Sequence, residues 1–318
     1  MQSLVGTAGQ LWLDLKQTWL QRREPLPSAP PGLAGTAGKY GSLERVTLTD
    51  EVGRTLFDEY AAHRQGPRGH EETGWVILGR REATEAIVLA TLPAGTQRSA
   101  GVAHVQFNSS GQALASRIVR QADRKLTMLG VVHTHPGSLR HPSDGDYRGD
   151  SQWVGRLRGQ EGVFGIGTAD GAEEGNNVYA RNVKAHVHCL GSLCFSWYAL
   201  KANDRGYRPL PCDWTLGPDL ARPLHSLWPT IELHAERLDR LCCQQAVVRF
   251  EVVSGHEGPA LAVILSLAEP GHALRVLLEG KTVRYYWVRD GEILKVGMDD
   301  DYVDRGVYLL LAELAAQS

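Results

Sequence analysis

The sequence predicts an α/β (α+β) fold: a mostly buried sheet flanked by helices, followed by a smaller C-terminal α+β domain. Three observations carry this. Short apolar, β-branched runs such as "GWVILGR" and "AIVLATLP" suit strands buried on both faces. Segments with apolar residues at helical spacing alternate with those runs. Beyond residue 230 a helical pattern, several strand-like runs and a closing helical pattern form a second group, and such a group builds its own layered core.

Bulk properties bound the function. A chain of 318 residues favours two domains, and 42% hydrophobic with 22% charged residues supplies an ordinary globular core. The net charge of -2 and pI near 6.6 lack the basic excess of a general nucleic-acid binder. Five cysteines, an odd number without framework spacing, read as reduced thiols of a cytoplasmic protein. No basic region precedes a long apolar run, so no signal peptide is expected, and no stretch approaches the roughly 18 apolar residues of a membrane helix.

In chain order, Leu4, Ala8, Leu11, Leu15 and Trp19 give residues 1–23 an amphipathic helix, centred on 9–23. The Pro/Gly/Ala/Ser-rich stretch 24–41 reads as a flexible linker. The main domain spans 42–200. Its first helix is "TDEVGRTLFDEYAAHR", capped by Thr49 or Asp50. The two buried strands follow. A helix over "NSSGQALASRIVRQADRK" carries Leu114, Ile118 and Val119 on one stripe, and "LTMLGVVHTH" is a strand ended by Pro136. "SDGDYRGDSQWVGRLRG" starts a helix; "VFGIGTA", "VYARNVKAHVHCL" and "LCFSWYAL" are strands. A connector covers 201–230. The domain 231–318 has a helix, strands from "AVVRFEVVS" to "EILKVGM" with Asp290-Gly291 as a hairpin turn, and a last helix. Its expected role is recognition of substrate or of a pathway partner, with simple structural support as the alternative.

Chemistry concentrates in "HTHPGSLRHPSDGD". Side chains at i and i+2 of a strand share a face, so His133 and His135 project together and Thr134 points away. Two imidazole nitrogens then converge on one ion, and Asp146 supplies a third ligand when the loop from Pro136 to Pro142 folds back. Ser143 and Asp146 also have helix-cap spacing, so Ser143 serves as a cap and as an active-site hydroxyl. A second H-x-H pair, His186 and His188, lacks the proline, serine and aspartate; alternation on an exposed strand accounts for it. Cys189 and Cys194 do not have zinc-knuckle spacing and read as buried strand cysteines, and Cys242-Cys243 lie on a helix.

The composite H-x-H-P-x6-S-x2-D resembles the signature of the JAMM (MPN-plus/JAB) metalloproteases, in their bacterial, deubiquitinase-like branch. The family's second element, E-x-x-G-apolar-apolar-x-G, is matched by "ETGWVILG", with Glu72 rather than Glu71 at the glutamate and Trp75 where a glycine is usual. The tryptophan is expected to narrow the cleft beside the metal. The resemblance covers roughly 42 to 195. It implies one zinc ion held by His133, His135 and Asp146. Glu72 takes a proton from the water activated there and passes it to the leaving amine. Ser143 donates to the oxyanion formed from an amide carbonyl. It also implies a substrate: the C-terminal tail of a ubiquitin-like protein, in a precursor or a conjugate, with activating or conjugating enzymes as further partners. The tail would add as a strand beside the site; "PAGTQRSAGVAHVQFNSS" and "TADGAEEGNN" are candidate walls, with ordinary surface loop as the alternative for each, and His141 is a loop residue that either touches substrate or is incidental. No individual substrate-binding residue is assigned. No nucleic acid or membrane is expected as a partner. Two alternatives stay open: a metallopeptidase for another tail, such as a sulfur-carrier protein or cell-wall peptide, and a non-catalytic scaffold.

Overall fold

The computed structural model describes residues 39–95, 109–171, 181–245, 247–298 and 300–317. The expected N-terminal helix and most of the linker lie outside them, as do most of both proposed groove walls. The chain divides into two compact units. One holds the described residues up to Ser109 and those from Lys125 to Arg222; the other holds Ser110–Arg124 and the chain from Pro223 onward.

In the first unit β1 (Arg45–Thr49) runs straight into α1 (Asp50–Gln65). The helix starts there because the Thr49 hydroxyl accepts the Val52 N–H at 3.4 Å, satisfying one of the donors a helix leaves open. Then follow β2 (Gly74–Arg81), β3 (Glu85–Pro93), β4 (Thr127–Thr134), α3 (Asp144–Asp150) and β5 (Glu161–Thr168), with α2 (Ser109–Ala122), which groups with the second unit, between β3 and β4 in sequence. The unit is completed by β6 (Arg181–Lys184), β7 (Val187–Leu190), β8 (Leu193–Lys201), β9 (Arg208–Pro209) and β10 (Cys212–Thr215). The strands form one mixed sheet in the order β10-β1-β3-β2-β4-β5-β8-β7-β6, with β9 beside β8. Its centre is buried on both faces: every residue of β5 is out of water, and β2 exposes only Arg80. That is why these strands read as continuous apolar runs and not as alternations. At Gly130 the backbone of β4 comes so close to β5 that an added Cβ would stand 1.8 Å from the Val163 carbonyl oxygen.

One face of the sheet packs on α1. Val52, Leu56, Phe57 and Tyr60 meet Trp75, Val132, Phe195 and Trp197 in a single buried cluster. The Phe57 and Phe195 rings meet edge to face at 5.1 Å, a favourable aromatic geometry.

The second unit joins α2 to α4 (Arg222–His225), α5 (Trp228–Gln244), a five-stranded antiparallel sheet and α6 (Val303–Gln317). The sheet runs in sequence order through β11 (Val248–Ser254), β12 (Pro259–Ser266), β13 (His272–Glu279), β14 (Thr282–Arg289) and β15 (Glu292–Lys295). Asp290 and Gly291, at φ 51° and 88°, make the left-handed two-residue turn expected of them. Gln121 on α2 bonds the edge of β11 twice: its amide nitrogen donates to the Val248 carbonyl at 3.3 Å, and its oxygen accepts the Phe250 N–H at 3.0 Å.

Several expectations are corrected. The run "VYARNVKAHVHCL" is not one strand: Ala185 and His186 turn the chain between β6 and β7. The helix after Ser143 ends at Asp150, and short 3-10 turns follow. Strands β9 and β10 lie inside the expected connector, with β10 parallel to β1 at one end of the sheet. Cys189 and Cys194 are not free thiols. They sit opposite each other in the β7–β8 hairpin, Cα atoms 4.1 Å apart, and are disulfide-bonded. His188 is not exposed; it is buried with its ring edge-on to Trp214 at 5.3 Å. Among the described residues, no helix is long and apolar enough to cross a membrane.

Candidate metal centre

The centre lies at the end of β4. His133 is paired with Gly74 of β2 and Ile166 of β5, so its backbone is fixed from both sides. His135 is one residue past the strand, and its N–H still reaches the Gly167 carbonyl at 2.8 Å, which keeps the pleat and puts both rings on one face. Thr134, pointing away, has its own task. Its hydroxyl accepts the Thr73 N–H at 2.9 Å, and its N–H donates to the Thr73 carbonyl at 2.9 Å. The residue next to Glu72 is thereby tied to the residue between the two histidines.

Asp146 comes back to the pair through the cap of α3. The Ser143 hydroxyl accepts the Asp146 N–H at 3.2 Å, and the Ser143 N–H and hydroxyl both donate to Asp146 Oδ2 at 2.7 Å. This is a reciprocal capping box, and it leaves Oδ1 turned to His133. His133 Nε2 lies 3.1 Å from His135 Nε2 and 3.2 Å from Asp146 Oδ1, and His135 Nε2 lies 3.5 Å from Asp146 Oδ2.

These separations test the site for an ion. Ligands about 2.05 Å from a tetrahedral centre stand about 3.3 Å from one another, close to the 3.1 Å between the two imidazole nitrogens and the 3.2 Å from His133 Nε2 to Asp146 Oδ1. The protonation pattern agrees. The Leu139 carbonyl lies 2.7 Å from His135 Nδ1, and a carbonyl can only accept, so Nδ1 carries the ring proton and Nε2 presents a lone pair. Two imidazoles and a carboxylate oxygen converging where His133 and His135 are 6% and 7% exposed form a donor set that fits one small divalent cation. Burial works to raise the Asp146 pKa, but the adjoining His133 and His135 and the hydrogen bond from Ser143 outweigh it and keep the group a carboxylate.

Glu72 is the acid beside this set. Glu71 is taken up by Arg68, whose Nε donates to it at 2.7 Å. Glu72 is buried, and burial pushes its carboxyl up to about 8; His135 pulls it down and Asp146 pushes it up. An acid so poised exchanges protons near neutral pH. Trp75 does not narrow this cleft. It is paired with Val132, on the face opposite His133, and its ring is 2% exposed among core residues. Its Nε1 donates to Glu59 at 2.7 Å. His141 is exposed, with Nδ1 3.2 Å from the Pro142 carbonyl.

The structure thus brings together His133, His135, Asp146, Ser143 and Glu72. Sequence reasoning missed Thr134, Arg140, Asp170 and Tyr198, which brace the site. Thr134 had a signal, since the pleat that aims two histidines inward leaves the middle residue free to bond elsewhere. The others are joined across 30 and 58 residues, and no local pattern marks them.

A mixed sheet bearing two strand-end histidines, a helix-cap aspartate and a buried glutamate is consistent with a domain of the JAB/MPN class. Residues 54–182 match the family described as prokaryotic homologs of the JAB domain. The JAB family includes metalloisopeptidases. Among solved structures, protein DSY2949 from Desulfitobacterium hafniense is similar at 17% identity and a TM-score of 0.38, over 54% of this chain and 94% of that one. No curated protein matches the chain.

Proposed function

We propose that the chain is a zinc-dependent isopeptidase or peptidase cleaving after the C-terminal tail of a ubiquitin-like protein, in a precursor or a conjugate. The observation that carries this is the convergence of His133, His135 and Asp146 with a buried, protonatable Glu72 alongside. A bound zinc ion supplies Lewis acidity, lowering the pKa of water and polarising a carbonyl. Glu72 takes the proton of the attacking water and returns it to the leaving amine. Ser143 has one hydroxyl proton, which rests on Asp146 Oδ2. Rotation about χ1 swings it to the developing oxyanion, while the Ser143 N–H keeps the carboxylate in place. A non-catalytic scaffold has no use for a complete ligand set beside an acid held out of water, and this argues against that reading.

The tail would bind by strand addition, where backbone bonds tolerate varied sequence. Activating or conjugating enzymes of the same pathway are the further partners. The proposal sets the reaction in the cytoplasm. The Cys189–Cys194 bond, at residues 3% and 0% exposed, is shielded there from attack by cellular thiolates.

The test incubates the full chain with ubiquitin-like proteins and their amine conjugates, with and without a chelator, and reads product masses. Cleavage after the tail that stops on chelation and returns with zinc is expected; products unaffected by chelation would sink the proposal. Glu72→Gln keeps one zinc per chain and loses turnover by about 10²–10⁴-fold. Loss of zinc in that variant would assign Glu72 to the ligands instead.

A further inference from the structure

His135 owes the direction of its Nε2 lone pair to the Leu139 carbonyl, which holds its Nδ1 proton. That carbonyl belongs to the peptide unit joining Leu139 to Arg140, so whatever fixes Arg140 fixes the acceptor. Arg140 is fixed on every side. Its Nε donates to both oxygens of Asp170, at 3.0 and 3.1 Å, and its Nη2 donates to the Asp170 carbonyl at 3.3 Å. Its own carbonyl accepts the Tyr198 hydroxyl at 2.8 Å. Asp170 is in turn held by the hydroxyl of the fully buried Thr168 at 2.6 Å, and Tyr198 is buried in β8. The loop after Pro136 is thus pinned to β5 and β8, the two strands beyond β4 in the sheet.

The magnitudes say what this costly arrangement is for. The Arg140 and Asp170 side chains are 33% and 27% exposed, and an ion pair so open to water adds little to stability. A carbonyl acceptor behind a metal-binding imidazole matters far more: loss of such a partner lowers metal affinity about 10–100-fold. We infer that Arg140, Asp170 and Tyr198 are positioning residues that hold the Leu139 carbonyl against His135, fix its Nδ1–H tautomer, and so aim Nε2 at the metal centre. The inference rests on the metal-site reading, but its first readout needs no metal.

The experiment uses the full chain labelled with nitrogen-15 at histidine. In the metal-free protein, long-range proton–nitrogen spectra of wild type give His135 a single Nδ1–H tautomer. Arg140→Ala, Asp170→Asn and Tyr198→Phe each shift it toward the Nε2–H form, while thermal melting stays close to wild type. Zinc titration against a chromophoric chelator then gives at least about a tenfold loss of affinity in the Arg140 and Asp170 variants. A His135 tautomer unchanged in all three variants overturns the inference, whatever the zinc result. A wild type that binds no zinc sinks the metal reading alone, because the spectra still decide whether the strut acts on His135.

Discussion

Glu72 and His188 are both ionisable side chains taken out of water, and the surroundings separate their roles. Glu72 has donors for a cation beside it, and on the proposed function its shifted proton takes part in the reaction. His188 has no such set: neither ring nitrogen has a hydrogen-bond partner, and burial lowers its pKa to about 4, with Asp213 pulling the other way. Below 6.5 the unfolded chain takes up the proton and the folded chain does not, so stability falls as pH drops from 6.5 to about 4. At pH 5 the loss is about 2 kcal/mol, from about 1.4 kcal/mol per pH unit. His188→Leu, which keeps the bulk, removes that slope; urea unfolding at pH 7 and pH 5 checks it. The legibility of these residues differs for a physical reason. His133, His135, Ser143 and Asp146 are related by strand pleat and helix cap, both local rules, and could be read from spacing. The burial of His188 depends on Trp214, which comes from a strand 26 residues away in sequence and not its neighbour in the sheet.

At the scale of elements, α1 sits where it does because Gly53 lets it. A Cβ there would stand 1.8 Å from Trp214 Cζ3 of β10. Two effects compete in Gly53→Ala. Alanine improves helix propensity by about 1 kcal/mol, while forcing a methyl into a packed ring costs about 1–3 kcal/mol. The clash wins, and a lower melting temperature with altered tryptophan fluorescence is the expected outcome. Buried central strands such as β2 and β3 were legible because burial on both faces leaves only apolar residues. The hairpin between β6 and β7 was not, since Ala185 and His186 turn the chain without glycine, proline, asparagine or aspartate; Asp290-Gly291 carries that chemistry and was found. α3 is short, and its first turn holds the serine that caps the helix and hydrogen-bonds Asp146.

At the scale of the whole chain, sequence order and spatial grouping diverge. α2 follows β3 and precedes β4, yet it groups with the residues after 223. A contiguous reading runs the first domain through it, because nothing in a helix's own periodicity names the sheet it will meet. Gln121 marks that membership, with its carboxamide bonded to β11. An amide has the donor and acceptor of a peptide group, so this one side chain acts as a fragment of a sixth strand. It occupies sites by which another molecule would otherwise pair with the open margin. Gln121→Leu bares the Phe250 N–H and the Val248 carbonyl while leaving the circular dichroism unchanged, and sedimentation at rising concentration is expected to detect self-association.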